Sequence, residues 1–372
     1  MIKIEDKSKC CGCSACAERC PVQCIELCDD EQGFTYPHVN ESKCVDCGLC
    51  EKVCPFLNPS SARLPQSTYS AINNDLPTRL ASSSGGAFSA LADRILRAGG
   101  VVFGARFGKN WEVVHDYCEK IEDLPPFRGS KYVQSLIGDN FIKAERFLKK
   151  GRLVLFTGTP CQIARLRGYL RKDYDNLLAV DVACHGVPSP LIWNEYLQTI
   201  TTAAEKISFR DKSHGWRAFH IVIDDKVDEF FNTNLYMRAF LKNLILRPSC
   251  YNCKVKCGSS MSDITIADYW GVHKISPEMY DDKGISLVIC YSDKGLKFLK
   301  EANLSLAQCD YNKAIRYNSA LVKSPKYAST VDYFWRKYST DGIDALEPAI
   351  AKVKTPLKLK AILIVKRLLG KN

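Results

Sequence analysis

The sequence predicts an α+β chain in two parts, and three observations carry that reading. The cysteine run C-x2-C-x2-C-x3-C-Pro occurs twice within the first 55 residues. A stretch rich in proline and serine, "NPSSARLPQS" at 58–67, follows it. Beyond that stretch, short apolar runs of strand length alternate with segments of helical periodicity. The 372 residues are enough for more than one compact unit with a sizeable core.

The first run places Cys10, Cys13, Cys16 and Cys20 before Pro21, and the second places Cys44, Cys47, Cys50 and Cys54 before Pro55. This is the spacing of a bacterial two-cluster ferredoxin, in which three close thiolates wrap one cubane and the fourth crosses to the other. Cys10, Cys13, Cys16 and Cys54 are therefore expected to hold one [4Fe–4S] cluster, and Cys20, Cys44, Cys47 and Cys50 the second. Gly12 and Gly48 lie inside the tight loops. A zinc site pairs two C-x2-C knuckles across a longer loop and asks for neither a third near cysteine nor a Cys-Pro end. Cys11, Cys24 and Cys28 fall outside the pattern and read as small buried apolar side chains.

Composition bounds the rest. Nineteen cysteines stand in a chain that opens "MIKIEDKSKCC", with no signal-peptide pattern and no apolar run of spanning length. Together these indicate a reducing cytoplasm, where cysteines act as metal ligands or catalytic thiols rather than disulfides. Lysine and arginine exceed acidic residues by 52 − 41 = 11. Such an excess suits an anionic partner: an acidic redox protein, a phosphorylated cofactor, an anionic small molecule or a membrane surface. No recognised nucleic-acid motif is present.

After the linker, "ASSSGGAFSALADRILRAGG" reads as a polar loop, a helix with Phe88, Leu91, Ala92, Ile95 and Leu96 on one face, and a glycine stop. The loop through Ser84, Gly85 and Gly86 opens the helix, where free N–H groups suit either a phosphate or an ordinary cap. "VVFGARF" and "WEVVHDYC" form an expected strand pair, and "SLIGDNFIKAERFLKKG" an expected helix. The apolar strand "RLVLFTG" runs into the helical "TPCQIARLRGYLRK", setting Cys161 at a strand-to-helix turn that favours a thiolate. A second apolar strand, "NLLAVDVAC", ends at Cys184, so both thiols are expected at one sheet edge. "KISFR" and "FHIVID" read as strands, "NLYMRAFLKNLILR" as a helix, "KGISLVICYS" as a core strand and "DKGLKFLKEA" as an amphipathic helix. Between them, Cys250, Cys253 and Cys257 form C-x2-C-x3-C, a third metal site that needs a ligand from elsewhere, with Cys161 and Cys184 the natural candidates. Thiol catalysis at Cys161, or at Cys184 with His185 as base, is the weaker alternative, because adjacent strand residues point apart.

Taken together, the double cysteine run, "SSSGGAFSAL", "RGSKYVQS", "FTGTPCQIARLR", "CHGVPS" and "PSCYNC" followed by "ADYWG" resemble the beta subunits of coenzyme F420 hydrogenase and dehydrogenase, over about residues 8–325. The resemblance implies an oxidoreductase: a flavin- and cluster-binding mixed α/β domain with FAD beside a further [4Fe–4S] cluster. It implies Cys161, Cys184, Cys250 and Cys253 as that cluster's ligands and leaves Cys257 aside. It also implies a flavin site including Ser84, Gly85, Gly86, Lys131, Tyr132, Ser135 and Asp268. The expected divisions are 1–58 for the ferredoxin-like domain, 66–150 and 151–325 for the two parts of the reductase domain, and 326–372 for a basic helical tail. A flavin suits such a chain, because it collects single electrons and releases them as a pair. The expected donor is ferredoxin or another redox protein. The expected acceptor is soluble and anionic, either coenzyme F420 itself or an intermediate of polysaccharide synthesis. The alternative is an electron-transfer subunit without a substrate of its own. "TPLKLKAILIVKRLLGKN" at the end is a basic amphipathic helix candidate that packs on the protein or lies on an anionic membrane.

Overall fold

The computed structural model describes residues 1–54 and 56–353. Its strands, numbered in chain order, are β1 (Ile25–Asp29), β2 (Thr35–Val39), β3 (Ser67–Asn73), β4 (Val101–Phe107), β5 (Val113–Cys118), β6 (Val154–Gly158), β7 (Leu177–Val182), β8 (Ile207–Asp211), β9 (His220–Ile223), β10 (Val227–Phe230), β11 (Ile264–Asp268), β12 (Ser286–Cys290) and β13 (Leu304–Gln308). Eight of them form one mixed sheet in the order β13-β3-β12-β11-β7-β6-β4-β5. Its centre is parallel, β4 with β6, β6 with β7 and β7 with β11, and the remaining pairs are antiparallel. β8, β9 and β10 make a separate antiparallel sheet.

The central strands are apolar on both faces because helices cover both faces. Phe103, Val154 and Phe156 are buried with Phe141, Ala144 and Leu166 on one side. Val102, Leu155 and Leu178 are buried with Leu91, Ala92 and Ile95 on the other. The helix Ala87–Arg97 thus buries the stripe its periodicity predicted, and Gly99 ends it in the left-handed region at φ 72°. Each of its fully buried Leu and Ile side chains contributes roughly 1.5–3 kcal/mol. β4 and β5 pair as the sequence suggests, Val102 opposite Cys118. The helix expected over 234–247 stops earlier, at Leu235–Leu241, because Asn243 turns left-handed at φ 64° and the chain doubles back to bury Leu244, Ile245 and Leu246.

The N-terminal module contains the hairpin β1–β2 and two single-turn helices, Ala15–Glu18 and Leu49–Lys52. It is packed on the body. Ala15 and Val53 enter the body's core with Ile163 and Leu166. Ser189 donates to the Gln32 carbonyl at 2.6 Å, and Gln134 to the Cys11 carbonyl at 3.1 Å. The stretch after it is pinned at its far end, where Arg63 N–H donates to the Gly258 carbonyl.

Residues assigned to a tail from 326 instead continue the body as far as they are described. The helices Ser329–Asp341 and Leu346–Lys352 bury Phe334, Leu346, Ala349 and Ile350 in the core around Trp193 and Tyr236, and Glu347 pairs with Arg238 at 2.8 Å. The amphipathic stretch 355–372 lies outside the described residues. Among the described residues no helix is long and apolar enough to cross a membrane.

Candidate functional site

The two cysteine runs share a backbone conformation. Gly12 and Asp46 occupy the same place, one residue before the second cysteine, and both are left-handed, at φ 65° and 49°. Ser14 and Gly48, one residue after it, repeat this at 63° and 67°. In each run the first cysteine's sulfur accepts an N–H, from Gly12 to Cys10 and from Asp46 to Cys44, both at 3.4 Å. The two glycines are therefore not counterparts. One left-handed position in each run carries a glycine, and the other is met by Ser14 or Asp46, short polar residues of which aspartate visits the region readily.

The runs cross. Cys20 from the first run lines one cavity with Cys44, Cys47 and Cys50 of the second. Cys16 stands beside Cys10 and Cys54; burial first, and then Cys10, pushes its thiol up to about 12. Four clustered, largely desolvated thiols cannot ionise together without a compensating cation, which an iron cluster would supply. Cys11 and Cys24 are buried as expected, Cys24 with its sulfur 3.4 Å from that of Cys20 at the second site, whereas Cys28 is exposed on the hairpin strand β1.

The third cavity lies between the module and the sheet. Cys161 comes from the first turn of the helix Pro160–Leu170, whose start is fixed by the reciprocal Thr159–Gln162 cap. Cys184 follows β7, and β6 and β7 are parallel neighbours, so both cysteines reach the carboxyl edge of the sheet. Cys250 and Cys253 come from the short turn Pro248–Asn252 and complete the lining of the same cavity. Cys250 sulfur accepts the Val187 N–H at 3.4 Å. Cys257 is exposed and directed away, its thiol 3.7 Å from the Leu321 and Val322 carbonyls. Cys11 and Cys13 of the first run line this cavity too, so the first and third sites adjoin.

Two expectations about thiol chemistry change here. Cys161 at a helix start was expected to favour a thiolate, but the neighbouring Cys11 and burial hold its thiol well above the ordinary range. His185 was expected to point away from Cys184, but β7 ends at Val182, so strand alternation does not govern them, and both line the cavity. The His185 Nε2 is taken by the Asn243 Oδ1 at 2.6 Å.

Buried guanidinium groups mark the cluster sites. Arg165 and Arg247 are 3% and 0% exposed, and among the described residues neither meets a carboxylate. Arg247 donates to the Cys10 and Thr35 carbonyls and to Gln134, while the Nε of Arg165 has no partner among the described residues. An unpaired buried cation is strongly unfavourable. The thiols Cys11, Cys13 and Cys54 are the groups around Arg165 that can carry negative charge.

The expected flavin residues form a separate group, gathered by a residue that sequence reasoning missed. Buried Arg210 donates to Tyr132 Oη at 3.2 Å, to the Ser83 carbonyl at 3.1 Å and to both oxygens of Asp268 at 2.9 and 3.0 Å. Trp216 Nε1 also donates to Asp268, at 2.9 Å, and its ring stacks on Trp270. Lys212 reaches the Arg79, Ser84 and Lys283 carbonyls. Lys131 donates to the Arg128 and Gly129 carbonyls, and burial pulls it down to about 7. Gly85 has a structural duty of its own: a Cβ there would stand 2.3 Å from the Ala71 carbonyl and 2.5 Å from the Ser286 nitrogen. Gly86 caps the next helix in the left-handed region, at φ 83°. Ser84 donates to the Ile285 carbonyl. Ser135 is not with this group. It is buried against His115 Nδ1 and Gln162, behind the third cavity. The only sequence trace of Arg210 and Lys212 was "FRDK" at a strand end, which is uninformative without the fold.

Residues 151–310 match the family model for the C-terminal part of the coenzyme F420 hydrogenase/dehydrogenase beta chain, and residues 9–58 match the 4Fe-4S dicluster domain. Over residues 151–310 the chain is thus similar to the coenzyme F420 hydrogenase/dehydrogenase beta-subunit family. It is an iron–sulfur protein of an oxidoreductase family, with a 4Fe–4S dicluster module at its N-terminus. Among solved structures, a chain of the xenon-derivatised F420-reducing [NiFe] hydrogenase complex from Methanosarcina barkeri aligns at 18% identity, covering 77% of this chain and 91% of that one, with a TM-score of 0.48. No curated protein matches.

Proposed function

We propose that this chain is an oxidoreductase that carries single electrons through three [4Fe–4S] clusters to bound FAD, and from there to a soluble acceptor. The observation that carries the proposal is the shared cavity of Cys161, Cys184, Cys250 and Cys253, which Cys11 and Cys13 of the first run also line. Four thiols from three separate segments, beside the first ferredoxin site, form the donor set of a cubane rather than of a reactive cysteine. Cys10, Cys13, Cys16 and Cys54 would hold the first cluster, and Cys20, Cys44, Cys47 and Cys50 the second.

When bound, clusters move one electron at a time, and a flavin converts single electrons into a two-electron transfer. The protein's part is to bind, orient and shield. For FAD the cation excess around Ser83–Gly86 is the supporting feature. Arg210 and Arg79 have carboxylate partners in Asp268 and Asp281, whereas Lys131 and Lys212 bond only to carbonyls. Burial and the neighbouring Arg210 and Arg79 draw Lys212 down to about 8. The Nε atoms of Arg128 and Arg210 are buried without partners. A pyrophosphate would answer these groups. Tyr132 and Asp268 would then orient the remainder of the cofactor, and Ser135 would act on the cluster side through Gln162. The donor in this reading is ferredoxin or a similar redox protein, and the acceptor is an anionic molecule such as coenzyme F420 or a polysaccharide-pathway intermediate. Nineteen free cysteines suit a cytoplasmic setting.

Anaerobic reconstitution of the full chain tests the proposal. About twelve irons and one flavin per chain are expected, with flavin bleaching on reduction through the clusters. Full iron without flavin after reconstitution would replace this reading with that of an electron-transfer subunit lacking its own substrate.

A further inference from the structure

The first cluster site receives its counter-charge from outside the ferredoxin module. Arg247 is 237 residues from Cys10 in sequence, yet its Nε donates to the Cys10 carbonyl at 2.8 Å and its Nη2 lies 3.8 Å from the Cys10 sulfur. Nη2 also donates to the Thr35 carbonyl at 2.9 Å, and the guanidinium lies over the Tyr36 ring at 4.3 Å. The loop is shaped to admit it: a Cβ at Gly12 would stand 2.6 Å from Nη1 and 2.9 Å from Cζ. Arg165, within the helix Pro160–Leu170, faces the same site from another side, over the Phe56 ring at 5.4 Å, with Cys11, Cys13 and Cys54 near it.

The second site has a different setting. Met1 and Asp46 line it, and the N-terminal ammonium pairs with Asp46 and Glu51 at 3.2 and 2.9 Å. Arg19, adjacent to Cys20, is turned onto the Tyr169 ring and Glu145. Cys47 is exposed, so water screens what charge is present.

We propose that Arg165 and Arg247 are positioning residues that raise the reduction potential of the first cluster, so that the body of the protein, not the ferredoxin module, sets the potential of that step. The proposal rests on the ligand assignment above. One-electron reduction of a cluster adds one negative charge and makes or breaks no bond. A fixed cation in a site of low dielectric stabilises the reduced form more than the oxidised form. Both guanidiniums are buried and, among the described residues, neither is paired with a carboxylate, so water screens their field little.

The test uses the cluster-loaded full chain, titrated with dithionite in the presence of mediators and followed by electron paramagnetic resonance. The second cluster's signal is identified by its loss in Cys47→Ser and the third's, whose cavity Arg247 also lines, by its loss in Cys184→Ser. Arg165→Gln and Arg247→Gln should each move the first cluster's midpoint to a more negative potential and leave the second where it was. Arg165→Lys, which keeps the charge, should stay nearer the wild-type value than Arg165→Gln. Unchanged midpoints in iron-replete Gln variants, or equal shifts in both clusters, would overturn the proposal. Arg247 also ties the module to the body, so if Arg247→Gln fails to load iron, Arg165→Gln alone decides, since among the described residues it gives up no bond to the main chain. A wild-type chain with no cluster at Cys10, Cys13, Cys16 and Cys54 would instead overturn the ligand assignment.

Discussion

Serine in place of Cys184, compared with serine in place of Cys257, tests the third site most directly. Both thiols belong to segments that the sequence places near a metal, yet the structure separates them. Cys184 lines the cavity with Cys161, Cys250 and Cys253, while Cys257 is exposed at φ 54° with its thiol against the Leu321 and Val322 carbonyls. Three four-iron sites give about twelve irons per chain. Cys184→Ser should therefore fall to about eight irons, with charge-transfer absorbance down by about a third. Cys257→Ser should keep about twelve and the wild-type spectrum. Iron is counted colorimetrically on anaerobically reconstituted protein, with far-ultraviolet circular dichroism to show that both variants fold. Cys11→Ser adds a control inside the cavity. As an unused fifth thiol it should retain the iron, whereas loss of about four irons would make it a ligand. A Cys257→Ser variant that loses four irons while Cys184→Ser keeps twelve would refute the reasoning and return the ligand set to Cys161 with the C-x2-C-x3-C run.

The remaining predictions concern the other sites. Cys20→Ser should abolish the cluster shared with Cys44, Cys47 and Cys50 and spare that of Cys10, Cys13 and Cys16; spectroscopic loss confined to the latter would show that the runs do not cross. Arg210→Gln should weaken FAD retention and lower the melting temperature, because it leaves half-buried Asp268 with Trp216 as its remaining partner, a loss of about 1.5–3 kcal/mol for a hydrogen bond to a charged group; calorimetry and flavin content check both. FAD affinity should fall as pH rises above about 7, because flavin-free Lys131 has its pKa near there and a bound pyrophosphate would raise it, so that binding takes up a proton. The limiting slope is about tenfold per pH unit; titration calorimetry in buffers of different ionisation heat measures the uptake, and Lys131→Met should flatten the dependence.

Much of the fold was legible because its signals are local. The cysteine runs, the stripe Leu91–Ala92–Ile95, the apolar β6 and β7 and the glycine stop at Gly99 each follow from short-range chemistry. What was not legible depends on distant pairing. β11 is a short run between polar residues whose place beside β7 is set only by the sheet. The helices Ser329–Asp341 and Leu346–Lys352 read as part of a basic helical tail until Phe334 and Leu346 are seen in the core. In the site, the cysteines were readable from spacing, but Arg165, Arg210 and Arg247 were not. A lone arginine in a helix, a strand end or a loop carries no mark of the carbonyls and thiols that will surround it.

These arginines also explain why the module and the body behave as one unit. A ferredoxin module that merely tethered its clusters to an enzyme would carry its own counter-charges and could be held by any linker. Here the first site takes Arg247 and Arg165 from the body, and the third cavity takes Cys11 and Cys13 into its lining. Removing residues 1–58 would leave Arg247 and Arg165 buried or exposed without the groups they face, so the truncated body should lose stability as well as its electron supply. A truncated body that melts at the wild-type temperature would mean that the contact across Gly12, Gln134 and Arg247 holds little, and that the two parts associate only through their linker.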